Sequence, residues 1–119
     1  MSRICRRISN KRWMESDFVI VLTTLPVEGD ADKLATQLVE ERLAACVNIL
    51  PAMQSVYRWK NAVERAGERQ LVIKTTRARV TELEARLRQL HPYDVPEFIV
   101  LPIDSGSAAY LTWLSDSTH

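Results

Sequence analysis

The sequence predicts an α+β domain in which two helices cover one face of a four-stranded antiparallel sheet. Short apolar runs rich in β-branched residues alternate with longer segments whose apolar residues recur every three or four positions. Their order is strand, helix, strand, strand, helix, strand, followed by a short terminal helix. A chain of 119 residues with 46% hydrophobic and 26% charged residues has room for one such domain.

The strands are predicted from the apolar and alternating runs. They cover residues 18–22, 46–50, 55–59, 70–74 and 98–103. Pro51 interrupts the second run, so the run at 55–59 is interpreted as the same strand continued beyond a bend or bulge. Residues 60–68 are charged and contain Gly67, which predicts the tip of a hairpin. Pro102 predicts that the last strand lies at a sheet edge.

The helices are predicted from apolar spacing and from capping residues. Asp30 is expected to cap the first helix and Thr76 the second, while Pro92 ends the second helix and Ser107 precedes the third. The apolar face of the first helix consists of Leu34, Ala35, Leu38, Val39 and Leu43, and that of the second of Val80, Leu83, Leu87 and Leu90.

This order of elements is the ferredoxin-like, split βαβ arrangement. Two helices cover only one sheet face, so Val56, Trp59 and Val63 of the central hairpin are expected to meet water in a single chain. Exposed apolar surface and open strand edges favour association with another chain. The pattern therefore predicts an oligomer but not the number of subunits.

The charge is distributed unevenly along the chain. Residues 1–16 hold five of the 16 basic and one of the 15 acidic residues, which leaves 11 basic and 14 acidic residues in residues 17–119. We interpret residues 1–16 as a disordered basic arm, with a short targeting arm as the alternative, and residues 17–119 as the domain. The negative balance of the domain argues against a nucleic-acid partner.

Several other classes are not expected. No window of about 18 apolar residues predicts a membrane-spanning helix, and residues 1–16 lack the apolar run of a secretory signal. Cys5 and Cys46 form no C-x-x-C pair, which favours a reducing, cytoplasmic location. The chain contains no G-x-S-x-G, H-E-x-x-H or P-loop motif, so we expect a protein that is not an enzyme.

Five ordered segments resemble the CutA family of divalent-cation tolerance proteins. They are RLAACVN at 42–48, SVYRW at 55–59, KT at 74–75, HPYDVPE at 91–97 and YLTW at 110–113. The resemblance covers roughly residues 17–115. It implies a ferredoxin-like subunit in a tight homotrimer, similar to the PII signalling proteins, and a role in tolerance of copper and other divalent metals.

The chain also departs from the family pattern. Many members carry an E-x-E pair late in the hairpin, where this chain has Ala66 and Glu68. Some bacterial members have a cysteine late in the first strand, where this chain has Thr23. Both departures remove a potential metal ligand.

The candidate metal ligands are His91, Glu97 and Cys46, since imidazole, carboxylate and thiolate groups all bind divalent metals. Each has an alternative interpretation. His91 follows a helix and is suited to its C-terminus, whereas Cys46 is suited to the core. Glu97 is suited to a plain connection or to accepting hydrogen bonds across a subunit boundary. Copper or another divalent metal is thus the expected partner, with no tightly bound cofactor.

A cleft between subunits is the expected site for a ligand. Its candidate residues are Tyr57, Trp59, Lys74, Tyr93 and Glu68. Lys74 could meet an anionic ligand there, or could simply be solvated. The function we expect is a homotrimer that binds divalent metal ions in the response to them. The alternative is a PII-like sensor or scaffold that binds a small anionic ligand or a protein partner.

Overall fold

The computed structural model describes residues 17–119, so the predicted basic arm at residues 1–16 lies outside the described residues. The elements are β1 (Phe18–Pro26), α1 (Ala31–Glu40), β2 (Cys46–Trp59), β3 (Ala62–Thr76), α2 (Val80–Leu90), β4 (Ile99–Pro102) and α3 (Ala108–Ser117). A 3-10 turn at Arg77–Arg79 leads into α2. The sheet order is β2-β3-β1-β4 and every neighbouring pair is antiparallel. The predicted ferredoxin-like topology is confirmed, and β4 with its Pro102 is an edge strand.

The β2–β3 hairpin is longer than the sequence predicts. Its turn consists of Lys60 and Asn61 alone, with φ angles of 49° and 67°. Two consecutive positive φ values are what a type I′ hairpin turn requires. The predicted tip at residues 60–68 is therefore wrong, since Gly67 and Glu68 pair with Gln54 and Met53 inside the ladder. Charged residues continue along the strand because this ribbon extends into solvent.

The interruption around Pro51 is a bulge. The register of β2 against β3 shifts between Ile49 and Ala52, after which pairing resumes as far as Trp59. The prediction of one strand continued beyond a bend is confirmed. Because a bulge changes the local twist of the strand, it redirects the outer half of the hairpin.

The main core lies between the sheet and helices α1 and α2. Alternate residues of the central strands point to this side, and they pack against both helices. The buried residues of this cluster include Val19, Val21, Leu34, Leu38, Leu71, Ile73, Leu83 and Leu87. They match the apolar faces predicted for the two helices except at two positions. Val39 is 41% exposed, and Leu43 is buried but lies beyond the end of α1.

Helix α3 covers one end of the opposite sheet face. Phe18, Ala45, Leu111 and Leu114 form a second buried cluster there. This face is therefore only partly open, which the sequence did not predict. The open part lies toward the other end of β1, near Thr24.

The predicted cap of α1 is confirmed, and Ser107, which was predicted only to precede α3, caps that helix. The Asp30 carboxylate accepts a hydrogen bond from the Lys33 amide at 2.9 Å, and the Ser107 hydroxyl accepts one from the Tyr110 amide at 3.2 Å. Thr76 makes no capping hydrogen bond, so its predicted role is wrong. The 3-10 turn separates it from α2, and its hydroxyl lies 3.4 Å from that of Thr118.

The hairpin exposes the apolar residues that the sequence placed there. Val56, Trp59 and Val63 are all exposed in the single chain. In the part of the chain that the structure covers, no helix is long and apolar enough to cross a membrane.

Candidate functional site

An open cleft with a volume of about 760 Å³ lies between the hairpin and the segment that joins α2 to β4. Thr24 and Gln70 face each other across β1 and β3 at its floor. Its walls carry three aromatic side chains and three carboxylates, namely Tyr57, Trp59, Tyr93, Glu68, Asp94 and Glu97. None of the described residues that line the cleft is Lys, Arg or His. The electrostatic character of the cleft is therefore acidic.

Glu68 is the most enclosed carboxylate of the cleft, with 7% of its surface exposed. Its Oε2 accepts hydrogen bonds from the Tyr93 hydroxyl at 2.9 Å and from the Thr24 hydroxyl at 3.3 Å. Burial of the phenol, together with its hydrogen bond to the Glu68 carboxylate, raises the pKa of Tyr93 to about 12. Tyr93 is thus a neutral hydrogen-bond donor at physiological pH.

Gln70 connects Glu97 to the sheet. Its Nε2 donates to the backbone oxygen of Thr23 at 2.8 Å and to the Glu97 Oε2 at 2.9 Å. The segment before β4 is thereby held against the floor of the cleft. From the sequence, Gln70 was expected only as part of a strand, because its partners Thr23 and Glu97 are distant along the chain.

His91 does not line the cleft but forms hydrogen bonds with two residues that do, Thr24 and Tyr93. It is the residue that ends α2, and only 7% of its surface is exposed. Its Nε2 is 2.6 Å from the Thr24 backbone oxygen, and its Nδ1 is 3.1 Å from the Tyr93 backbone nitrogen. Since a carbonyl only accepts and an amide N–H only donates, the ring is neutral with its proton on Nε2.

This arrangement bears directly on His91 as a metal ligand. A metal ion needs a ring nitrogen with a free lone pair. Nε2 carries the proton, and the lone pair of Nδ1 accepts the Tyr93 hydrogen bond. Metal binding through His91 would have to break one of these bonds. In the observed geometry, His91 instead links Thr24 to Tyr93 and so positions the Tyr93 ring.

Lys74 and Cys46 lie away from the cleft. They face each other across β3 and β2, and Lys74 is also opposite Ile20. Lys74 lies six residues along β3 from Glu68, which is about 20 Å at the usual rise of a strand. Within one chain Lys74 therefore does not join the predicted cleft residues. Cys46 is half-buried rather than part of the core, and its Sγ is 3.7 Å from the Asn48 side-chain nitrogen.

The donors present fit a cation bound by oxygen atoms. Between residues 17 and 119, no three His, Cys, Asp or Glu side chains come together as a metal-binding group. The cleft instead offers separate carboxylates and a phenol, and oxygen donors of this kind bind hard cations loosely unless further ligands complete the shell.

The comparisons with known proteins agree on one family. The family described as "CutA1 divalent ion tolerance protein" matches residues 19–117. The chain is 48% identical over 99 residues to the "Divalent-cation tolerance protein CutA" of Thermus thermophilus, covering 83% of this chain and 96% of that protein. It is 45% identical over 101 residues to the protein of the same name from Pectobacterium atrosepticum, covering 85% and 92%.

A solved structure gives the same result. The "Divalent cation tolerance protein (Cut A1)" of Thermus thermophilus superposes with a TM-score of 0.83 at 47% identity, covering 86% of this chain and 99% of the other. The predicted resemblance is thus confirmed in sequence and in fold. The chain belongs to the CutA family of divalent-cation tolerance proteins.

Proposed function

We propose that the chain acts as a homotrimer that binds divalent metal ions, copper foremost, at the acidic cleft and so contributes to tolerance of these ions. The observation that carries the proposal is the cleft itself, in which three carboxylates are present and no described lining residue is basic. The names of the relatives, which refer to divalent-cation tolerance, support the same class of ligand.

Copper is favoured by general coordination chemistry. For a given set of nitrogen, oxygen or sulfur ligands, affinity among the divalent first-row metals peaks at Cu²⁺. Because the cleft of one chain offers separate oxygen donors, we expect weak binding that becomes firmer where a neighbouring subunit adds ligands.

The trimeric part of the proposal is supported by surface that a single chain leaves uncovered. The hairpin exposes Val56 and Val63, and the edge strand β4 exposes Ile99 and Leu101. Open strand edges with apolar side chains are suited to pairing with another chain. The cleft lies beside this hairpin, so association would enclose it further.

No catalytic step is part of the proposal. A general acid or base works best with a pKa near the operating pH. Tyr93, whose pKa is raised to about 12, is far from that range, and both ring nitrogens of His91 are hydrogen-bonded to backbone groups.

The proposal is tested by mass and metal titration on the same sample. Light scattering should give three times the chain mass of 13.6 kDa. Calorimetric titration with Cu²⁺ should show binding that weakens about tenfold in Glu97→Gln, equivalent to about 1.4 kcal/mol. The matched control is Glu40→Gln, which removes an exposed carboxylate at the C-terminal end of α1. A monomeric mass would overturn the proposed trimer. Equal affinity of the wild type and Glu97→Gln for Cu²⁺ would overturn the proposed metal site.

A further inference from the structure

The cleft contains a buried negative charge without a cationic partner. Glu68 is 93% buried, yet it forms none of the ion pairs seen among residues 17–119. The two groups that donate to it are neutral hydroxyls, and both donate to Oε2. Its Oε1 accepts no hydrogen bond from the described residues. Among the described residues only the Thr23 hydroxyl is a fully enclosed side-chain polar atom without a hydrogen bond, so Oε1 of Glu68 remains in contact with the open cleft. A carboxylate oxygen in this position can accept from a cationic ligand.

The walls around this carboxylate are aromatic. Tyr57, Trp59 and Tyr93 all line the cleft. The face of an aromatic ring attracts an ammonium or guanidinium group within about 6 Å of its centre, and the attraction grows when the cation is desolvated. The Lys60 ammonium already lies 5.9 Å from the centre of the Trp59 ring. Because the Trp59 side chain is 44% exposed, it leaves surface for a second cation beside Lys60.

The Tyr93 ring is held in place before any ligand arrives. Its hydroxyl donates to Glu68 at 2.9 Å, and its backbone amide donates to His91 at 3.1 Å. The ring also packs against the His91 imidazole with 4.9 Å between the centres. Because these contacts restrict the ring from both ends, little conformational entropy is lost when a ligand binds.

The size of the cleft suits an organic molecule. A volume of about 760 Å³ lies within the range of roughly 300–1,000 Å³ that is usual for small-molecule sites. Met53, Val56 and Val95 add apolar surface to the lining. A ligand that fills such a site has an apolar body and a positive charge. The lining that one chain provides offers no basic side chain to the anionic ligand predicted from the sequence.

We infer that the cleft binds small organic cations, with an alkylammonium group placed against Glu68 and the rings of Tyr93, Tyr57 and Trp59. The inference does not depend on metal binding, since the faces of the aromatic rings have no role in holding a metal ion. The two ligands share the acidic lining, so Cu²⁺ and an organic cation should compete.

Choline and its uncharged analogue 3,3-dimethylbutan-1-ol provide the test, because they have nearly the same shape. Calorimetric titration of the full chain should show choline binding at least tenfold more tightly than the alcohol. Glu68→Gln should remove most of this preference while preserving an acceptor for Tyr93 and Thr24. Equal affinity for the two probes, no binding of either, or an unchanged preference in Glu68→Gln would overturn the inference.

A second pair of variants separates cation–π recognition from folding. Trp59 and Trp113 are each 44% exposed, but only Trp59 lines the cleft. Trp59→Leu should weaken choline binding several-fold, whereas Trp113→Leu should leave it unchanged. Equal effects of the two changes would overturn the aromatic part of the site.

If choline fails to bind while Cu²⁺ still binds, only this inference is lost. If Cu²⁺ fails to bind while choline still binds, only the proposed metal function is lost.

Discussion

Thr23 and Thr24 are adjacent buried residues with opposite hydrogen-bonding states. The Thr23 side chain is 0% exposed on the helix-facing side of β1, and among the described residues its hydroxyl has no hydrogen-bond partner. Thr24, 6% exposed, points to the other face and donates to Glu68 at 3.3 Å. Replacing each by valine keeps the branched shape and removes the hydroxyl, so the two variants differ only in what that hydroxyl does.

The structure predicts opposite changes in stability. An unsatisfied buried hydroxyl costs roughly 1–3 kcal/mol, and a hydrogen bond to a charged group contributes about 1.5–3 kcal/mol. Thr23→Val should therefore raise the free energy of unfolding by about 1 kcal/mol. Thr24→Val should lower it by about 1 kcal/mol, somewhat below that range because the 3.3 Å contact is long. The two variants should thus differ by about 2 kcal/mol.

Urea unfolding monitored by circular dichroism measures this difference. All variants are compared at one protein concentration, because self-association makes apparent stability depend on concentration. The denaturation slope should stay constant, so that a change in midpoint reports a change in stability. A Thr23→Val variant that is destabilised as much as Thr24→Val would refute the reasoning, since it would show that the Thr23 hydroxyl is satisfied.

Two further predictions concern Tyr93 and the hairpin turn. Folding raises the pKa of Tyr93 to about 12. The contribution of Tyr93 to folding stability is therefore complete below the ordinary tyrosine pKa of about 10, and it is lost as the pH rises through 12. Absorbance at 295 nm should show one of the three tyrosines ionising late, and Tyr93→Phe should remove that late phase; a late phase that persists contradicts the assignment. Lys60 has a φ of 49°, which asparagine adopts more readily than alanine, so in urea unfolding Lys60→Asn should be about 1 kcal/mol more stable than Lys60→Ala, which likewise removes the contact with Trp59; equal stability of the two variants would contradict the turn geometry.

The fold was predictable because its signals are local. Apolar spacing marked the faces of α1 and α2, and Asp30 marked the start of α1. The length of the hairpin was not predictable in the same way. Residues 62–68 have no apolar alternation, since this ribbon is solvated, and charged residues in such a ribbon look like those of a loop.

The candidate site was predicted in part. Glu68, Tyr93 and Glu97 lie in one cleft together with the predicted aromatic residues of β2. Lys74 was predicted for a cleft between subunits, and within one chain it lies outside the cleft that contains Glu68. The bulge near Pro51 and the two-residue turn set the register of the hairpin, which the sequence does not show.

The role of His91 needed three-dimensional information. Its position before Pro92 indicated the end of a helix, and its residue type suggested a ligand. Only the fold shows that the Thr24 carbonyl and the Tyr93 amide occupy its two nitrogens. Long-range partners of this kind, 67 residues apart for His91 and Thr24, leave no local pattern in a sequence.

The acidic cleft is proposed to receive cations, and locating a bound ion tests this proposal directly. Crystals of the full chain soaked in Cu²⁺ would be measured at the copper absorption edge. We expect an anomalous peak within the cleft, beside the carboxylates of Glu68 and Glu97. Anomalous peaks confined to other places, such as Cys46 or His119, with none in the cleft, would contradict the account.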